Sequence, residues 1–120
     1  MEQAQEIANR YVAVWHESDA QIRRDLIARL WVEDGLHYVG EREARGYDAL
    51  EKRITGSHEK NVRDGGHRFR AGNARALRDV VTFDWEMSPA GGDEVLANGR
   101  EILLLAADQR ILVDYQFVLS

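Results

Sequence analysis

Between Val80 and Leu119 the chain alternates apolar and polar residues over three consecutive runs, and a period of two admits little besides a strand meander. Val81, Phe83, Trp85 and Met87 alternate with Thr82, Asp84 and Glu86. Ser88-Pro89-Ala90-Gly91-Gly92-Asp93 is a turn cluster, and Ala106-Ala107-Asp108-Gln109 a second reversal. Between them Glu94 to Leu105 ends in Ile102-Leu103-Leu104-Leu105. The last run, Arg110 to Leu119, carries Ile111, Val113, Tyr115, Phe117 and Leu119 on one parity. Asp84, Asp114 and Gln116 are the polar positions of the meander: an outer polar face is the simpler reading, Arg100 with Asp84 and Asp114 the alternative, and which of the three face a pocket stays open.

A sheet apolar on one face needs cover, and the first half of the chain supplies it. Ile7, Tyr11, Val14 and Trp15 fall at helical spacing within a helix of about Glu2 to Glu17. Ser18-Asp19-Ala20-Gln21 fits a capping box with Ser18 as N-cap. A second helix turns Ile22, Leu26, Ile27, Leu30 and Trp31 inward and ends at Asp34-Gly35; Leu36 to Val39 is a short strand and Gly40 to Glu43 a loop. A third helix runs from Tyr47 toward Asp64, weakened at Gly56 and stopped by Gly65-Gly66. One strand then spans His67 to Leu77. Helices followed by strands give an α+β fold with the helices on one face of an antiparallel sheet.

The strand ending at Leu105 is apolar on both parities, Leu103 and Leu105 on one and Ile102 and Leu104 on the other. Helices cover one face only, so the other predicts a homodimer through the sheet. At 120 residues the chain reads as a single domain, 1–120. Its net charge of −5 argues against a nucleic-acid partner. No run reaches membrane-spanning length, and Met1 to Glu6 lacks the order of a signal peptide, so no membrane partner and a cytoplasmic location are expected. Without cysteine there is no thiolate metal site, and His58 and His67 stand too far from other ligands, so no metal and no cofactor are read.

The order and spacing of several short segments resemble the SnoaL-like, nuclear transport factor two-like superfamily, in particular its ketosteroid isomerase and polyketide cyclase members. These are Arg10-Tyr11-Val12-Ala13, Leu30-Trp31-Val32-Glu33-Asp34-Gly35, Gly46-Tyr47-Asp48-Ala49-Leu50, Gly66-His67-Arg68-Phe69, Phe83-Asp84-Trp85-Glu86 and Asp114-Tyr115-Gln116-Phe117. The resemblance implies a cone-shaped curved antiparallel sheet wrapped around three N-terminal helices, the cystatin-like or ketosteroid isomerase-like fold, with a ligand pocket at its open end. Fold alone does not fix function.

By the same resemblance Tyr11 matches a tyrosine that hydrogen-bonds a developing oxyanion, and Glu101 stands where the isomerase has a protonated aspartic acid. The isomerase general base falls on Val39, which cannot take a proton, so steroid isomerisation is not expected. His37 lies two residues earlier, on the same strand face, and its imidazole can replace the base. The reading is a protein that holds a small, mostly apolar molecule between Trp15, Trp31, Val39, Trp85 and Phe117. Cofactor-free isomerisation, cyclisation or dehydration would use His37, with Tyr11 and Glu101 steadying the oxyanion. The rival reading is a non-catalytic ligand-binding or protein-interaction domain of the same fold.

Overall fold

The Asp19 carboxylate accepts from the backbone N–H of Gln21 and of Ile22, at 2.9 and 3.0 Å, and so fixes where the second helix begins. The cap falls one residue beyond Ser18 because Asp19 supplies the acceptor. The structure is a computed structural model that describes residues 2–120. Its helices are α1 (Glu2–His16), α2 (Ala20–Leu30) and α3 (Gly46–Ser57), the last continuing as a π-helical segment, His58–Asp64. Seven strands follow or intervene: β1 (Trp31–Val39), β2 (Arg42–Arg45), β3 (His67–Ala71), β4 (Arg75–Leu77), β5 (Val80–Pro89), β6 (Ala97–Leu105) and β7 (Ile111–Val118). No helix among the described residues is long and apolar enough to cross a membrane.

Two boundaries differ from the sequence reading for one reason. The second helix stops at Leu30, and β1 begins at Trp31 instead of Leu36. On β1, Trp31 pairs with Ile111 and Leu36 with Val113, so Val32 to Gly35 bulge out of the pairing and hide the strand's alternation. Gly35 makes the bulge possible: a Cβ there would lie 2.7 Å from Cδ1 of Trp31. The expected loop after Val39 is a two-residue turn at Gly40-Glu41, Gly40 at φ +57°, leading into β2. The expected single strand from His67 to Leu77 is two, β3 and β4, both paired with β5.

The sheet runs β2-β1-β7-β6-β5-β3, with β4 also on β5. All pairs are antiparallel except β1 with β7, so the α+β cone is built on a mixed sheet. Its concave face packs on α1 and α3 through Ala8, Tyr11, Leu50, Ile54, Phe83 and Leu103.

Register decides which side chains face inward. Glu101 pairs with Phe83 and Gln116, Leu103 with Val81 and Asp114, and Gly99 with Trp85 and Val118. Between Leu105–Ile111 and Leu104–Val113, β7 carries one extra residue, Leu112. This bulge puts Ile111 inward and every later odd residue outward. The outer face of β6 and β7 therefore shows Ile102, Leu104, Val113, Tyr115 and Phe117. Tyr115 stacks on Tyr38 at 5.6 Å, and Tyr115 and Phe117 keep 43% and 51% of their surface exposed.

Candidate functional site

The inward parity of β7 carries the polar residues, Asp114 and Gln116, and brings them beside β1. His37 pairs with Asp114 and Val39 with Gln116. Asp114 is fully buried, which corrects the simpler reading of an outer polar face. Only Asp84 of the three polar meander positions points outward, where it binds Arg100 at 2.7 Å. The parity argument failed at Leu112: a single bulge exchanged the two faces of β7.

Asp114 Oδ2 lies 2.7 Å from Nδ1 of His37 and 2.6 Å from the Tyr11 hydroxyl. The hydroxyl is also 2.9 Å from Oε1 of Glu101, whose Oε2 accepts from Trp85 Nε1 at 2.7 Å. Gly99 permits that last bond. A Cβ there would lie 2.3 Å from the Trp85 indole, so the ring can cross β6 and reach Glu101 only over a glycine. Every side chain in this chain of contacts, from His37 to Trp85, is buried.

Proton counting gives the chain a direction. The phenol has one proton for two carboxyl groups, and its shorter contact is to Asp114. Burial first, and then the neighbouring Asp114, raise the Glu101 carboxyl well above the usual range, with the Tyr11 and Trp85 donors pulling the other way. A neutral Glu101 can donate to the Tyr11 oxygen, Tyr11 to Asp114, and His37 Nδ1–H to Asp114. Burial, followed by the charge of Asp114, raises the Tyr11 phenol too, so it keeps its proton. His37 is then fixed as the tautomer with Nδ1 protonated. Its Nε2 is buried with no hydrogen-bond partner among the described residues. His37, Glu101 and Asp114 also place one ligand atom each within 4.8 Å of one another, but those atoms bond to each other, to Tyr11 and to Trp85.

These groups close the deep end of a cavity of about 930 Å³. Tyr11, His37 and Glu101 all line it, as do Trp15, Val39 and Trp85. Trp31 and Phe117 do not, contrary to the sequence reading. Trp31 lies fully buried behind Tyr11, ring centres 5.6 Å apart, and Phe117 projects from the outer sheet face because of the Leu112 bulge. Met87, Phe69 and Val12 supply further apolar wall. The mouth is basic, with Arg42, Lys52, Arg53 and Lys60 on its rim.

The sequence matches no protein-family model and no curated protein. The likeness lies in solved structures. A proposed isomerase of the SnoaL-like family from Agrobacterium tumefaciens superposes with a TM-score of 0.87 at 25% identity over 100% of both chains. A nuclear transport factor two-like protein of unknown function from Exiguobacterium gives 0.72 at 18%, covering 95% of this chain and 98% of that one. A proposed polyketide cyclase from Sinorhizobium meliloti gives 0.71 at 12%, covering 92% and 93%. The chain has the fold of the SnoaL-like and nuclear transport factor two-like structures.

Proposed function

We propose that the protein is a cofactor-free enzyme that moves a proton on a small carbon acid held in the cone, as an isomerase, cyclase or dehydratase does. The observation that carries this reading is the buried His37–Asp114 pair, 2.7 Å apart at Nδ1, which leaves Nε2 unpartnered on a residue that lines the cavity. A carboxylate on Nδ1–H fixes the tautomer and steadies the imidazolium that forms when Nε2 takes a proton. The same imidazolium can return that proton to another atom of the bound molecule. Tyr11 and Glu101 act at one remove: their hydrogen bonds hold Asp114 in place and set the proton count of the buried cluster. A domain that merely binds needs volume and apolar walls. It gains nothing from a buried carboxylate aimed at an imidazole, since burying such a pair costs solvation that packing alone would not recover.

The reaction of 5-nitrobenzisoxazole tests this directly, because its ring opens when any buried base removes one carbon-bound proton. The native protein should open it, and His37→Gln should lower the rate by about a hundredfold or more. Asp114→Asn should lower it as well, by releasing the tautomer. A rate unchanged in His37→Gln would sink the catalytic reading and leave the binding domain.

We further infer that two copies pair through the outer face of β6 and β7. Exposed Tyr115 and Phe117 beside Ile102 and Leu104, on the two central strands of the sheet, support this.

A further inference from the structure

Arg53 lines the cavity from α3, and its guanidinium lies 5.0 Å from the centre of the Trp15 ring. It makes no ion pair and no side-chain hydrogen bond with any described residue, and its Nε is buried without a partner. Arg10, Arg29, Arg68, Arg75 and Arg78 also lack an ion pair among the described residues, but they are exposed, whereas Arg53 is half-buried; other arginines of this acid-rich chain are matched. Arg24, Arg63, Arg70, Arg100 and Arg110 each meet a carboxylate. Arg42, Lys52 and Lys60 share the rim with Arg53 and have no ion-pair partner among the described residues either, while Glu43, the acid at that rim, turns toward Arg45. Burial first, and then Arg42, depress the Arg53 guanidinium, as expected of a cation held among apolar atoms and like charge.

Two further features point the same way. Trp15 Nε1, on a residue that also lines the cavity, is a second buried donor with no partner among the described residues. One turn of α3 beyond Arg53, Gly56 also lines the cavity, and a Cβ there would meet nothing within 4 Å. A helical glycine here keeps the cavity wall free of a side chain on that turn of α3.

Building on the reading of the cone as a proton-transfer site, we propose that its ligand is an organic acid: an apolar body bearing one carboxylate, gripped by Arg53, with the reacting carbon at His37. A guanidinium offers a planar fork that matches a carboxylate, and its attraction is strong where water is excluded. Arg53 and His37 lie against the same indole, 5.0 and 5.8 Å from its centre, so no more than the sum of those distances separates them. Within that bound a small molecule can be anchored at one end and react at the other. The apolar walls take the body between.

The test uses two probes of one shape, 2-naphthoate and 2-naphthamide, titrated into the native protein at constant ionic strength. Naphthoate should bind about tenfold tighter or more. Arg53→Gln should erase the difference, and His37→Gln should keep it. The Nε–H resonance of Arg53 in the native protein should move with naphthoate and stay put with the amide, which reads the contact without any substitution. Equal binding of the two probes, a preference that survives Arg53→Gln, or no naphthoate binding up to its solubility limit would overturn the proposal. Loss of the preference with His37-dependent opening of 5-nitrobenzisoxazole intact would remove the acid and spare the enzyme. The opposite result would remove the enzyme and spare the acid.

Discussion

Glu101 shows what a single residue tells before and after folding. Its place among Leu103 and Leu105 was legible in strand parity, and so was the consequence that a carboxyl there loses water and holds its proton. Its partner Asp114 was not legible, since nothing local marks Leu112 as an extra residue. The homodimer argument held the missing signal: if the outer face of β6 is apolar, the apolar parity of β7 belongs there too, and Asp114 must then face in. The raised Glu101 carboxyl has a sign in stability. Unfolded, it titrates at about 4.3. Folded, it keeps its proton above that, so the native state binds more protons and loses stability as pH rises toward the folded value. Glu101→Gln keeps a donor for Tyr11 and an acceptor for Trp85 and removes the titration. The variant and the native protein should match near pH 4 and diverge above it, the variant becoming more stable by up to about 1.4 kcal/mol per pH unit. Parallel curves from pH 4 to about pH 8 would mean an ionised Glu101 already accommodated in the fold.

At the scale of elements, the sequence reading succeeded where periodicity was clean and failed where one residue broke it. The helix over Glu2–His16 and the strands β5 and β6 follow their apolar spacing. The extent of β1 was hidden by the Val32–Gly35 bulge, and β2 is a short strand of Arg-Glu-Ala-Arg in which only Ala44 is buried. Neither has an apolar pattern to read. The third helix changes at His58 to a π-helical segment, which widens the helix where Lys60 and Asn61 line the cavity. Two glycines shape the strands that carry the site. Gly35 lets β1 fold back on Trp31, and Gly99 lets Trp85 cross to Glu101. In the sequence Gly35 reads as a helix stop, and Gly99 carries no signal because its role is defined by a ring on the neighbouring strand.

For the whole molecule, the helices fill the concave face of the sheet and leave the outer face of its central strands apolar. Two-fold pairing there sets like residues near each other, so one substitution acts twice. The native protein should sediment as a dimer at micromolar concentration. Leu104→Glu should weaken it by roughly a hundredfold or more, since each partner would bury a carboxylate, while the fold stays intact because Leu104 faces away from the core. A native monomer would remove the interface. The same sheet brings β1 against β7, the parallel pair, and so sets His37 on Asp114. That pair is the centre of the functional account, and the nitrogen-15 spectrum of the His37 ring reads it most directly. Where the ring is neutral the spectrum should show a protonated Nδ1 and a bare Nε2, and Asp114→Asn should disturb that preference. A proton on Nε2 of the native protein, with Nδ1 bare, would mean that Nε2 is not the free base, and would contradict the account.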